Sequence, residues 1–188
     1  MPFSSEIQCI IDLVKSAADA VPQEYYRLQT IYSSNGIVRE RIYCYEIYHI
    51  MRTEQERNLI DNTFSLHGEI DKSGHNEFEN RDRKNPDFVF HVPGSMSNNA
   101  VVMEVKGKII PSNIKKDFLT LYRFTSQYQY EAGVFLLFNH TYNELIQGMR
   151  GTDLSEISET EKILIICKRT HETPFEIHPF SQFIPRIT

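Results

Sequence analysis

The sequence predicts an α/β fold: a mixed central sheet flanked by helices, with core order helix, strand, strand, strand, helix, strand and extra C-terminal strands. Three observations lead there. Apolar residues recur at three- and four-residue spacing over 7–14, 42–50 and 114–125, the period of helices with one buried face. Short runs with strand character separate the second and third of these patterns. Residues 133–138 are apolar almost without interruption, as in a strand covered on both sides.

The elements follow in order. Ser5 with Gln8 three residues on reads as a capping box, and Ile7, Ile10, Ile11 and Val14 continue a helix until Pro22 stops it. A second helix is expected over 39–51, with Ile42, Tyr45, Glu46, His49 and Ile50 on one side, so that Glu46 lies on an otherwise apolar stripe. Strands are expected at 66–71, 87–92 and 100–107. Pro93, Gly94 and the Ser/Asn residues after them supply a turn that makes the last two an antiparallel hairpin. Pro111 and Ser112 open a helix reaching about Tyr130, with Ile114, Phe118, Leu121, Tyr122 and Thr125 on one face. After the strand at 133–138 come a short helix at 142–149 and strands at 162–168 and 175–180.

At 188 residues, without repeats or a Gly/Pro-rich linker, the chain is expected to be one domain. Its core is placed at about 39–139, with an N-terminal helical extension over 1–38 and a C-terminal extension over 140–188. The longest apolar run, 132–138, is far shorter than the roughly 18–20 residues that span a bilayer, so no membrane partner is expected. The first residues carry Glu6 and Asp12 without a basic leader, unlike a secretory signal. Three scattered cysteines, Cys9, Cys44 and Cys167, are read as buried free thiols of a cytoplasmic protein.

A net charge of −5 argues against nucleic-acid binding through bulk charge, but the balance is uneven along the chain. Lys106, Lys108, Lys115, Lys116 and Arg123 outnumber the two acids between 104 and 123, whereas residues 140–163 hold five acids and two bases. One face can therefore be positive on an acidic molecule.

The chemistry-bearing stretch is Pro86-Asp87, then, beyond a strand and a turn, Glu104-Val105-Lys106. Strand alternation puts Glu104 and Lys106 on one face and turns Val105 away. In a hairpin, Asp87 at the start of one strand meets Glu104 near the end of the other. Two carboxylates beside a backbone carbonyl suit a hard divalent cation such as Mg²⁺ or Mn²⁺. The alternative is a structural ion pair, since a half-buried strand carries opposite charges when they pair or bind something.

The arrangement Pro86, Asp87, Glu104, Lys106, within this element order, resembles the PD-(D/E)XK nuclease superfamily with its restriction-endonuclease-like fold. The resemblance covers roughly 39–139. It implies a Mg²⁺-dependent (or Mn²⁺-dependent) nuclease in which Asp87, Glu104 and the Val105 carbonyl hold the metal and Lys106 serves the attacking water. Glu46 is the matching candidate for the supporting helix glutamate, with a structural contact to arginine or tyrosine as the alternative; Glu69 could replace it, but with His67 and Asp71 on its strand face it reads first as an ordinary exposed position. DNA is expected ahead of RNA as partner on the resemblance alone. Lys108, Lys115, Lys116 and Arg123 are candidate phosphate contacts, or else a solvated helix end. A homodimer would pool two weak basic faces.

The rival reading is a non-catalytic nucleic-acid-binding or protein-interaction module of the same fold. A second D/E-x-K triplet, Asp82-Arg83-Lys84, reads as a solvated turn. His67 and His75 lack a third partner at zinc spacing, and neither a phosphate-binding GxxxxGK[ST] loop nor a GxSxG turn occurs. Tyr25, Tyr26, Tyr32, Tyr43, Tyr45 and Tyr48 could stack bases, but aromatics at helical spacing read first as core packing.

Overall fold

The strand Asn99–Lys106 organises the fold: it pairs antiparallel with Phe88–His91 on one side and parallel with Ala132–Phe138 on the other. The computed structural model describes residues 3–31, 33–57, 63–68, 85–94, 98–158 and 160–187. In chain order these form α1 (Ser5–Ala20), α2 (Gln23–Tyr26), β1 (Leu28–Thr30), β2 (Ser33–Ile37), α3 (Glu40–Arg57), β3 (Ser65–Gly68), β4 (Phe88–His91), β5 (Asn99–Lys106), α4 (Pro111–Ser126) and β6 (Ala132–Phe138). They are followed by α5 (Tyr142–Met149), β7 (Ile163–Lys168), β8 (Glu176–Pro179) and α6 (Phe180–Ile187). The main sheet has order β3-β4-β5-β6-β7-β8, with parallel pairing in the centre and antiparallel pairing towards both edges. The fold is thus the mixed α/β class expected, with α3-β3-β4-β5-α4-β6 as the anticipated core order and β7 and β8 as the extra strands.

Two hydrophobic cores lie on opposite faces of the sheet. One joins Ala132, Val134, Leu136 and Phe138 of β6 to α1 and α3; the other joins Phe135 and Leu137 to α4, α5 and α6. Every residue of β6 is buried, which is why its sequence shows an apolar run and no alternation. In β5, Val101, Met103 and Val105 face the first core, while Val102, and in the same phase Glu104 and Lys106, take the other positions.

Several boundaries differ from expectation for local reasons. The cap of α1 is Ser4, whose Oγ accepts the Ile7 N–H at 3.3 Å; Ser5 is already helical. Helix α4 starts on Pro111 but ends at Ser126, because Gln129 turns left-handed at φ 58° and the Tyr130 N–H returns to the Phe124 carbonyl. The N-terminal extension is not wholly helical, since β1 and β2 form a separate antiparallel hairpin. Helix α6 was not expected beyond the strand at 175–180; it contains Pro185, and its Phe180, Phe183 and Ile187 are at most 2% exposed against the second core.

The buried face of α3 is Tyr43, Ile47, Met51 and Gln55, not the stripe through Ile42, Glu46, His49 and Ile50. Tyr43 decides this phase: its ring stacks on Phe138 at 3.9 Å between centroids and 3° between planes, and meets Tyr26 edge-on at 5.3 Å. Of the cysteines, Cys167 is buried and Cys44 half-buried, but Cys9 is exposed, contrary to expectation. Glu69, His75 and the Asp82-Arg83-Lys84 triplet, like Tyr32, lie outside the described residues. No described helix is long and apolar enough to cross a membrane.

Candidate functional site: an acid cluster around Lys106

The hairpin register pairs Phe88 with Met103, so the next positions outward are Asp87 and Glu104. They meet where β4 begins and β5 ends. Asp87 Oδ2 accepts the Val105 N–H at 2.7 Å, which ties the first acid to the strand bearing the second. Glu104 is 6% exposed. Burial pushes its carboxyl well above the usual range, and Asp87 and then Asp117 push it further. Asp87 is also raised by burial, but Lys106, the Val105 N–H and a hydrogen bond from Glu104 pull it back. Of the two, Glu104 is pushed up the more strongly.

Lys106 is the cation at the centre of this cluster. Its Nζ lies 3.3 Å from Asp117 Oδ2 and 3.8 Å from Glu40 Oε2, and it donates to the Val105 carbonyl at 3.3 Å. Burial pulls the ammonium down, but Asp117, Asp87, Glu104 and Glu40 together outweigh it and hold the pKa above the usual lysine range. Asp117 is itself pushed up to about 6 by burial, against the pull of Lys106. The 3.3 Å contact is a charge pair without hydrogen-bond alignment, so Asp117 Oδ2 is buried with no hydrogen-bond donor. Glu40 is anchored separately: its Oε1 accepts the Gly107 N–H at 3.1 Å.

Four carboxyl groups therefore surround one ammonium, three of them raised by burial and the fourth, Glu40, partly exposed. Such a surplus of acceptors suits a divalent cation, and the donors the sequence predicts, Asp87, Glu104 and the Val105 carbonyl, are hard oxygens. Among the described residues, no group of three or more His, Cys, Asp or Glu side chains is arranged to hold a metal ion. Two carboxylates and a carbonyl would be a donor count that Mg²⁺ accepts when water and phosphate complete its shell.

The structure brings Asp87, Glu104, Val105 and Lys106 together as the spacing predicts, and it redistributes the supporting residues. Glu46 acts on Tyr25, whose phenol pKa it raises through charge and a hydrogen bond, and it is not among the groups acting most on Asp87, Glu104 or Lys106. Glu40 holds the place beside Lys106 instead. Its sequence setting, the first turn of a helix, is where an acid is expected for the helix dipole alone, so nothing marked it out. Asp117 did carry a signal: it sits three residues after Ile114 and four before Leu121, on the apolar face of α4.

The candidate phosphate contacts are dispersed. Lys108 is exposed and lines a groove of about 540 Å³ with Val38, Arg39, Glu40, Arg41, Ile42 and Tyr45. Lys115 lies 3.7 Å from Glu156, Lys116 is exposed next to Asp117, and Arg123 is half-buried further along α4. His67 does not stand alone, since its Nδ1 lies 2.9 Å from Nε2 of His91 on the neighbouring strand. No protein-family model, curated protein or solved structure matches the chain.

Proposed function

We propose that this chain is a Mg²⁺- or Mn²⁺-dependent nuclease of the PD-(D/E)XK type, hydrolysing phosphodiester bonds in nucleic acid, DNA ahead of RNA. The observation that supports it most is the meeting of Asp87, Glu104 and Lys106 at one strand end within an excess of buried carboxyl groups. Asp87, Glu104 and the Val105 carbonyl would hold the cation. When bound, it would supply charge neutralisation at the phosphate and a more acidic water.

The chain's own residues account for the rest. The Val105 N–H fixes Asp87, so the carboxylate is oriented before substrate arrives. Asp117 and Glu40 flank the Lys106 ammonium and keep it charged. A positive charge held there orients the attacking water and stabilises the negative charge that grows on the phosphoryl oxygens as the water oxygen adds to phosphorus and the bond to the leaving sugar oxygen breaks. Glu40 takes the supporting role that the resemblance implied for Glu46.

A second reading, a non-catalytic binding module of the same fold, draws on the same contacts, because a purely structural lysine is also paired with acids. The deciding experiment incubates the pure protein with plasmid, linear duplex DNA, single-stranded DNA and RNA in Mg²⁺, Mn²⁺ or EDTA. Cleavage that needs the cation and disappears in Asp87→Asn is the expected outcome; no cleavage of any substrate with either cation overturns the enzyme.

A further inference from the structure

Of the six tyrosines considered for stacking, Tyr26 and Tyr43 are fully buried in the first core, whereas Tyr45 keeps 65% of its surface exposed. It projects from α3, one turn beyond Arg41 and next to Cys44. Tyr45 lines two adjoining cavities. One is the groove carrying Arg39, Arg41 and Lys108. The other, of about 280 Å³, is walled by Cys44, Tyr45, Tyr48, Gly68, Phe88 and Asp87. Its floor is aromatic, with Tyr48 and Phe88 stacked at 6.0 Å and 21°. Thus a small apolar pocket opens beside the proposed metal carboxylate, and a groove whose charged lining is Arg39, Arg41 and Lys108 with Glu40 begins on the other side of the same exposed ring.

We propose that Tyr45 is a stacking platform for one unpaired nucleobase next to the scissile phosphate, and that the substrate is therefore single-stranded or locally opened nucleic acid. This rests on the nuclease reading and deepens it. The chemistry of the two cavities fits adjacent parts of one nucleotide strand. Arg39 and Lys108 offer charge to the phosphodiester backbone, and the aromatic pocket offers a flat apolar surface to a base. Asp87, shared between the pocket wall and the acid cluster, places that base immediately beside the reacting phosphate. The pocket lies just below the usual range of small-molecule sites, enough for one ring system and not for a stacked pair. A base inside a duplex presents no free face to Tyr45, so pairing opposes binding. Helix α3 is anchored through Tyr43, Ile47 and Met51, which holds the platform rigid while its ring stays open to solvent.

The test uses the full chain and synthetic oligonucleotides with a fluorescent adenine analogue, single-stranded or in a blunt duplex. Binding is measured in Ca²⁺ and cleavage in Mg²⁺. Wild type should bind and cut the single strand in preference to the duplex, and should quench the analogue. Tyr45→Ala should weaken single-strand binding roughly 5- to 150-fold, the range of base-on-aromatic stacking, and abolish the quenching, while Tyr45→Phe should retain both. As an exposed position, Tyr45 should tolerate both changes without loss of melting temperature. If wild type cuts but prefers duplex, or if Tyr45→Ala binds and quenches as wild type does, the platform is wrong and the nuclease stands. If wild type neither binds nor cuts any nucleic acid, both readings fall.

Discussion

Lys106 Nζ lies 3.3 Å from Asp117 Oδ2, so the strand lysine of the candidate site is paired with an acid from the helix that follows it. The site is therefore a five-residue electrostatic unit, Glu40, Asp87, Glu104, Lys106 and Asp117, in which each change alters the charge felt by the others.

Replacing Lys106 by Ala removes the positive charge that four carboxyl groups share. The metal-free protein should lose up to roughly 3–5 kcal/mol, because buried carboxylates are left uncompensated whether or not the chain is an enzyme. Turnover should fall about 10²-fold or more while Mg²⁺ binds more tightly, since lysine and cation draw on the same acids. Lys106→Arg should restore part of the stability and little of the rate. Single-turnover cleavage and calorimetric Mg²⁺ titration on the same variants check this split.

Mg²⁺ or Mn²⁺ should raise the melting temperature of wild type and not of Asp87→Ala. At about 100 times its dissociation constant a cation adds about 2.7 kcal/mol. An identical shift in both proteins would remove Asp87 from the metal site.

The acid cluster gives the metal-free protein a pH dependence of definite sign. Asp87, Glu104 and Asp117 all have folded pKa values above their ordinary ones, Asp117 at about 6. Between the ordinary carboxylate range and that value, the folded chain holds more protons than the unfolded one, so these groups lose stability as pH rises from about 4 past 6. Glu144, held low by its hydrogen bond from the Thr141 N–H, acts in the opposite sense. The measurement is therefore a difference: in EDTA, Asp117→Asn should flatten the fall by roughly 1–3 kcal/mol relative to wild type.

Gly107, directly after Lys106, has no room for a side chain. A Cβ there would stand 2.4 Å from Phe138 Cζ and 2.6 Å from Val38 Cγ1, and the Phe138 ring is pinned by its stacking on Tyr43. Gly107→Ala should cost about 1–3 kcal/mol in urea unfolding and disturb the Glu40 contact. Full stability of the variant would show that this corner is looser than its packing.

Phosphate contacts should divide by position. Lys108 and Arg39 line the groove beside the site, whereas Lys115 is occupied by Glu156. Lys108→Gln should reduce the slope of log affinity against log salt by close to one, and Lys115→Gln should change it less. Equal changes would extend the binding face along α4.

What the sequence alone determined about this protein is local. The core order α3-β3-β4-β5-α4-β6 follows from apolar period and turn chemistry, and the meeting of Asp87 with Glu104 and Lys106 follows from strand alternation across a short hairpin. Those rules act over a few residues and need no knowledge of the rest of the chain. The tertiary structure decided which residues surround that trio. Whether Glu40 or Glu46 faces the site depends on the rotation of α3, set by Tyr43 stacking on Phe138 nearly a hundred residues away. Burial of Asp117 depends on α4 lying over the end of β5, and the helical state of residues 180–187 depends on a core that Phe180 and Phe183 complete. Residue pattern defines which faces are apolar; only packing between distant elements defines which face wins and which charges are brought into contact.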